Sequence, residues 1–501
     1  MPGVSSFFES ACMKKSFVAL GPALFVGCLT ILRYTSLSAE ATIVLAVAVW
    51  MLAWWVSETV PLAVTALLPI VLFPLFGILS VKEATQSYGD PVIFLFMGGF
   101  ILALALEKHK LHERIALNLI RLTGSSGNGI ILGFTLATAF LSMWISNTAT
   151  AIMMLPIAMS VVNLMKEEFA KNEANEKRFV NFSTALMLGI AYASSIGGMA
   201  TLIGSPPNTV MAGLYRKQYE VDFTFLEWFK FGFPLSVLVL AACYLLLTRV
   251  LFPNRLPRVP GSEKLINQQL KALGPMSFAE RGVLAVFLLT SLLWIFRPWV
   301  NDALVAWIFK DGAGRILLDD TSIAIVGAIL MFIVPADAKA KDFLLDWSDS
   351  KRMAWGILLL FGGGLCLAQG LEGTGLIKLI GTGIAAQGQL SLFALILIVT
   401  FLAIFLTEFM SNVALTTVFV PIGFGIANAL GVPPLLVAMP ITFGASCAFA
   451  MPISTPPNAV LYSSGYVKMW QMIKAGVLLN ILSLAIIVAV AMTLGRSLFG
   501  V

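Results

Sequence analysis

Two short polar runs interrupt stretches of this sequence that are otherwise apolar. Ser146, Asn147 and Thr148 stand between FTLATAFLSMWI and AIMMLPIAM, and Ser411 and Asn412 stand in a matching setting that continues into Val413. Each unpartnered polar group in hydrocarbon costs several kcal/mol, so these runs must be matched by something. The side-chain oxygens of Ser142, Ser146 and Asn147, and of Thr407, Ser411 and Asn412, are hard neutral ligands suited to Na+. Asn amides and Thr hydroxyls can also hydrogen-bond a carboxylate. A second pair of motifs reads IGSPPN (203–208) and ISTPPN (453–458). Pro206–Pro207 and Pro456–Pro457 remove two backbone donors each and push the preceding residue out of helical geometry, so each must break a helix. A break exposes carbonyls on one half-helix and a positively polarised N-terminus on the other, which is how transporters hold cations and anionic substrates.

No Lys, Arg or His lies within these four motifs. An anion bound there must be neutralised by helix N-termini and co-bound cations, because a dianion alone at the centre of a bilayer is prohibitively costly. Small polar residues also glue membrane helices together, and proline kinks occur without function. It is the duplication of both motifs that argues for a site. Glu408 precedes Ser411 by one helical turn and reads as a cap or support for the second cation site. Glu107 and Glu372 read as helix ends. His109 and His112, among Lys108, Lys110 and Arg114, read as surface residues of an amphipathic arm, with 371–388 as its partner on the opposite face.

The elements that position these residues are membrane helices. Over 501 residues the chain is 59% hydrophobic and 12% charged, with mean hydropathy +0.92, which places it in the bilayer. Nucleic-acid binding is not suggested: the net charge of +6 comes from loop lysines and arginines, and loop basicity orients membrane helices. The cysteines at 12, 28, 243, 366 and 447 form no CxxC pair and read as small core residues. Apolar runs of about 20 residues fall near 17–33, 40–57, 62–79, 90–106, 182–214, 226–248, 282–300, 321–335, 354–371, 436–466 and 476–495. Two longer stretches, 130–164 and 390–424, break at the polar tips and read as re-entrant hairpins. The fold class is therefore all-α and polytopic, about eleven transmembrane helices plus two re-entrant hairpins.

With the N-terminus inside and the C-terminus outside, most lysines and arginines fall on the cytoplasmic side. The sequon Asn181-Phe-Ser183 then lies in a cytoplasmic segment, which favours a bacterial inner membrane.

The chain also repeats itself. LFMGGFILALALEKHKL (95–111) aligns without a gap to LFGGGLCLAQGLEGTGL (360–376), pairing Gly98 with Gly363, Gly99 with Gly364 and Glu107 with Glu372. At the same offset SNTATAIMMLPI (146–157) falls on SNVALTTVFVPI (411–422), and the PPN motifs pair at a slightly shorter one. An odd number of crossings separates equivalent elements, so the repeat is inverted and the two tips can meet near the midplane. The expected organisation is an N-terminal segment with the first helix (1–39), a first repeat (40–250) with broken helix 182–214, a cytoplasmic linker (251–281), and a second repeat (282–501) with broken helix 436–466.

These motifs, with the segment WWVSETVPLAVTALLPIVLFPLFGIL (54–79), resemble the divalent anion/sodium symporter family, the sodium-coupled di- and tricarboxylate transporters. The resemblance covers nearly the whole chain. It implies a homodimer with a fixed scaffold domain and a transport domain that moves like an elevator, carrying C4-dicarboxylates, citrate or sometimes sulfate. It implies a first sodium site from Ser142, Ser146, Asn147 and the Gly204 carbonyl, and a second from Thr407, Asn412 and the Ser454 carbonyl. Substrate carboxylates would be held by Asn147 and Thr148, by Asn412, and by Ser205–Pro206 and Thr455–Pro456. Val413 departs from a full double Ser-Asn-Thr and removes one hydroxyl from that shell. The loop near 249–281 is too short for the soluble insertion of sulfate-type relatives, which favours a dicarboxylate.

Other classes fit less well. A proton antiporter would bury an acid in its broken helices, and an exchanger of dicarboxylate or citrate would need a fixed cation in place of Na+; the motifs contain neither. No HExxH and no GxxxxGK[ST] occurs, so neither a zinc hydrolase nor ATP-driven transport is supported, and the chain reads as a transporter rather than an enzyme.

Overall fold

In hydrocarbon the backbone has no water to bond, so a chain of this composition must satisfy its N–H and C=O groups within helices. The computed structural model describes residues 4–32, 34–35, 37–169, 173–254, 256, 261–308, 318–337, 341–385 and 391–500. Of the residues used for topology, Lys171, Arg255, Arg258, Lys339 and the end of the second arm past Ala385 lie outside them. Among the described residues nine helices are long and apolar enough to cross a membrane, and shorter apolar helices of 10–17 residues fill the remaining places.

The chain begins with α1 (Val4–Leu32) and α2 (Ala39–Ser57), which pack together and are followed by the short pieces α3 (Leu62–Thr65), α4 (Leu68–Leu75) and α5 (Val81–Gln86). Next come α6 (Pro91–Lys108) and the arm α7 (Leu111–Leu122). The first hairpin region is α8 (Gly127–Ser142) and α9 (Asn147–Phe169). The first broken helix is α10 (Glu173–Gly198) and α11 (Pro206–Tyr219), and α12 (Phe225–Leu245) closes the unit. A linker helix α13 (Ser262–Ala272) leads to α14 (Phe278–Ile308), α15 (Asp320–Ile333), α16 (Trp355–Gly373) and the second arm α17 (Leu376–Ala385). Then follow α18 (Leu392–Thr407), α19 (Asn412–Leu430), α20 (Leu435–Ala445), α21 (Pro456–Tyr462), α22 (Met469–Val490) and α23 (Arg496–Phe499).

Helices therefore occupy each segment expected to span, and both PPN motifs open a new helix after a break. The linker is more than a loop, because α13 packs on α7 and α9. The histidines depart from the sequence reading. His112 is buried, its Nδ1 2.7 Å from the Leu106 carbonyl, and His109 Nε2 lies 2.7 Å from the Leu344 carbonyl. His112 lies in the first turn of the arm, which packs on α8 and on the end of α6, whereas His109, half-buried, ends α6 itself.

Matched positions carry matched roles. Ser126 caps α8 by accepting from the Gly129 N–H at 3.0 Å, and Ser391 caps α18 by accepting from the Ala394 N–H at 3.2 Å. Phe96 of α6 and Phe361 of α16, equivalent in the repeat, meet edge to face with ring centroids 5.1 Å apart. Gly98 and Gly363 let α6 and α16 close on their other neighbours: a Cβ on Gly98 would lie 2.7 Å from Ala324 Cβ and 2.8 Å from its backbone. Gly98→Ala should therefore lower the melting temperature of the detergent-solubilised protein, by overpacking of about 1–3 kcal/mol. Gly27→Ala, whose new methyl meets nothing within 4 Å, should leave it unchanged or slightly raised.

Candidate functional site

At the first tip, α8 ends on Ser142 and α9 starts on Asn147. Ser142 Oγ lies 2.7 Å from Asn147 Oδ1 and 2.5 Å from the Ser194 carbonyl of α10. A hydroxyl has one hydrogen to donate, so Ser142 can satisfy only one of the two oxygens it touches, and three oxygens converge on a single hydroxyl hydrogen. Such a cluster is relieved by a cation. These oxygens approach so closely because Gly198 and Gly204 lack side chains. A Cβ on Gly198 would lie 2.5 Å from Asn147 Oδ1 and 3.1 Å from the Gly204 carbonyl; one on Gly204 would lie 2.6 Å from the Gly198 carbonyl, 2.9 Å from Thr201 Oγ1 and 3.0 Å from the Met143 carbonyl. All these donors are neutral, hard oxygens, a set that fits an alkali cation and not a transition metal.

The second tip repeats the pattern. Thr407 Oγ1 lies 2.8 Å from Asn412 Oδ1 and 2.6 Å from the Ala445 carbonyl, again three oxygens and one hydroxyl hydrogen. What differs is the next residue, Glu408 where the first repeat has Met143. The buried Glu408 carboxylate accepts from the N–H groups of Phe449 (2.9 Å), Ala450 (2.8 Å) and Met451 (3.2 Å), from Asn480 Nδ2 (2.7 Å) and from Ser454 Oγ (2.5 Å). It thus fills the gap between α20 and α21 with partners that are all neutral. A buried carboxyl group thus stands next to Thr407 at the second tip, where the first has the apolar Met143.

The remaining expected residues divide as follows. Ser146 is exposed, and its Oγ accepts from the Ala149 N–H at 3.3 Å, capping α9; Asn147, Thr148, Ser411 and Asn412 are half-buried, and Val413 is buried. Ser205 and Thr455 stand in extended geometry immediately before α11 and α21, which Pro206 and Pro456 open. Ser454 Oγ reaches both the carbonyl and the carboxylate of Glu408. Helix packing interlocks the repeats, since α21 lies on α9 and α10 while α11 lies on α19 and α20. Among the described residues no hydrogen bond joins one tip directly to the other.

Sequence reasoning did not find Thr201, the carbonyls of Ser194 and Ala445, or Asn480. Carbonyls carry no sequence signal, but Asn480 is a lone amide within the apolar run VLLNILSLAII and could have been flagged.

Residues 15–501 match the family described as sodium:sulfate symporter transmembrane region. The sodium-dependent dicarboxylate transporter SdcS of Staphylococcus saprophyticus is 37% identical over 506 residues, covering 99% of this chain and 95% of that protein. SdcS of Staphylococcus aureus strain RF122 is 39% identical over 495 residues, covering 97% and 93%. Among solved structures, the YdaH transporter of Alcanivorax borkumensis aligns with a TM-score of 0.57 over 91% of this chain and 98% of its own, at 15% identity. MtrF of Neisseria gonorrhoeae gives 0.55 over 92% and 96%, at 13% identity. The last two are likenesses of fold.

Gly198→Ala should press a methyl against Asn147 Oδ1 and raise the Na+ concentration for half-saturation of transport by about tenfold or more, with the protein still inserted and monodisperse. Sodium dependence unchanged from wild type would mean that the cation lies elsewhere.

Proposed function

The chain belongs to the sodium:sulfate symporter family, and from that premise we propose that it is a secondary active transporter moving C4-dicarboxylates of the succinate, malate and fumarate class together with Na+. The observation that carries this reading is the proton-deficient oxygen cluster at each tip, Ser142 with Asn147 and the Ser194 carbonyl, and Thr407 with Asn412 and the Ala445 carbonyl. Each asks for a small cation. Two bound cations offset the two charges of a dicarboxylate, which no cationic side chain in the motifs could do. The names of the relatives, sodium-dependent dicarboxylate transporters at 37% and 39% identity, support the same substrate.

In this reading Na+ sits at Ser142, Ser146, Asn147 and the Gly204 carbonyl, and at Thr407, Asn412 and the Ser454 carbonyl. The Asn147 and Asn412 amides, Thr148, and the helix starts at Ser205–Pro206 and Thr455–Pro456 hold the carboxylates. Val413 presents an apolar wall on the second side. The repeats are inverted, with the N-terminus cytoplasmic and the C-terminus outside in a bacterial inner membrane, and the contact of matched Phe96 and Phe361 supports an internal two-fold axis near them. The protein works as a homodimer in which α8–α12 and α18–α22 move as a transport domain against a scaffold.

In this reading α11 carries a boundary for that motion. Lys217 Nζ donates to Ser87 Oγ (2.7 Å), Gln369 Oε1 (2.8 Å) and the Leu365 carbonyl (3.2 Å), and Gln218 donates to Glu372 at 2.6 Å. These bonds must break if the domains slide.

The direct test is succinate uptake into proteoliposomes under an inward Na+ gradient against a K+ control, for wild type and Asn412→Ala. Sodium-dependent uptake that the substitution abolishes is expected; uptake that needs only internal succinate would make the protein an exchanger. Lys217→Met should change the maximal rate several-fold and leave the Na+ half-saturation concentration as in wild type. The opposite pattern would place Lys217 in the ion site and not at a sliding boundary.

A further inference from the structure

The two breaks leave carbonyls without helical donors, and in both repeats the same residue type answers them. Pro206 and Pro207 have no N–H, and unwinding over 199–205 withdraws further donors from the end of α10. Asn208, fully buried, gives one amide hydrogen to the Gly198 carbonyl at 2.8 Å and the other to the Thr201 carbonyl at 2.8 Å. Asn458, equally buried, does the same for the Ala448 carbonyl at 2.9 Å and the Met451 carbonyl at 3.0 Å. Both amide hydrogens are used in each case. The Oδ1 of each asparagine is left buried with no hydrogen-bond partner.

That leftover acceptor is informative. A buried polar atom without a partner is unfavourable, yet the same one stands in both repeats. Turning the amide over would aim Oδ1 at two carbonyl oxygens, so the pair of donated bonds dictates the orientation. Aspartate offers no such donors, and a serine or threonine hydroxyl offers one hydrogen, too few to tie two carbonyls together.

The residues held are those that touch the tips. Gly198 borders Asn147 Oδ1 and the Gly204 carbonyl, and Thr201 Oγ1 donates to the Met143 carbonyl at 2.5 Å. In the second repeat the held stretch, Ala448 to Met451, carries the three N–H groups that bond the Glu408 carboxylate beside Thr407. Each asparagine therefore ties the start of α11 or α21 to the unwound strand, and the strand to the tip.

We propose that Asn208 and Asn458 are positioning residues for sodium coupling, each holding the unwound strand of its own repeat in the shape that presents ion-binding oxygens to the adjacent tip. The inference rests on the sodium-symport reading and adds to it one residue per repeat that does not itself bind ion or substrate. Loss of either asparagine should weaken the site of its own repeat only, and loss of both should remove coupling.

The test uses the full-length protein in proteoliposomes, normalised to reconstituted protein, with Asn208→Leu, Asn458→Leu and the double substitution. Each single variant should raise the Na+ concentration for half-saturation by about 10–100-fold, the usual effect of removing a group that orients metal ligands. The steepness of the Na+ dependence should fall toward one, while the succinate KM at saturating Na+ stays near wild type. A fall in maximal rate alone would show that the asparagines only stabilise the fold, and a raised succinate KM with unchanged Na+ dependence would make them substrate contacts. Either overturns the proposal. If a leucine variant fails to insert, Thr209→Val serves, since Thr209 Oγ1 donates to the Leu202 carbonyl of the same strand at 3.3 Å. It should raise the Na+ half-saturation concentration measurably, and Asn208→Asp, which keeps the size but has no amide hydrogen to give the Gly198 and Thr201 carbonyls, should raise it further; no rise in Asn208→Asp contradicts the proposal. Wild-type uptake indifferent to Na+ would sink the symport reading itself, whereas sodium-dependent wild type with unaltered variants sinks this inference alone.

Discussion

One hydroxyl hydrogen shared among three oxygens, at Ser142 and again at Thr407, is the constraint from which the rest of the structure follows. In water such a cluster would be solvated and unremarked. At the ends of α8 and α18, inside a chain built for hydrocarbon, it must be met by the protein or by an ion. The last turns of α10 and α20 supply the third oxygen of each cluster, prolines enforce the breaks that follow, and Gly198 and Gly204 let backbone and amide approach closely beside the first. The halves interlock beside these two places, α21 packing on α9 and α11 on α19.

The two halves are related but not equal. Gly198 and Gly204 in the first become Ala448 and Ser454 in the second, and Met143 becomes Glu408. The first tip gathers closely packed, uncharged carbonyls, hydroxyls and an amide oxygen. In the second, backbone N–H groups freed by the break close on a carboxylate, with Asn480 and Ser454 completing its shell. A neutral cradle relies on the charge of a co-bound anion, whereas a site beside a fixed carboxylate attracts a cation by itself. On the proposed reading, the repeat provides two cation sites of different electrostatic character.

Much of this was legible in the residues. Apolar runs marked the helices, because bilayer thickness dictates their length, and the duplicated Ser-Asn and Pro-Pro-Asn motifs marked both the repeat and the breaks. Less legible were contacts made by backbone atoms. The carbonyls of Ser194 and Ala445 belong to stretches whose side chains say nothing of their role, and Thr201 looks like any other small residue of a membrane helix. The PPN asparagines were in plain view but overshadowed by their prolines. His112 was misjudged because an amphipathic arm buries one face, and single-sequence charge patterning does not say which residues of its first turn that face includes.

The account turns on two cations moving with each dicarboxylate. Initial rates of radiolabelled Na+ and radiolabelled succinate entry, measured side by side in the same proteoliposomes with the membrane potential clamped, test that most directly. At least two Na+ per succinate is the predicted result. A ratio of one, or succinate entry with no accompanying Na+, would contradict a mechanism in which both oxygen clusters load an ion.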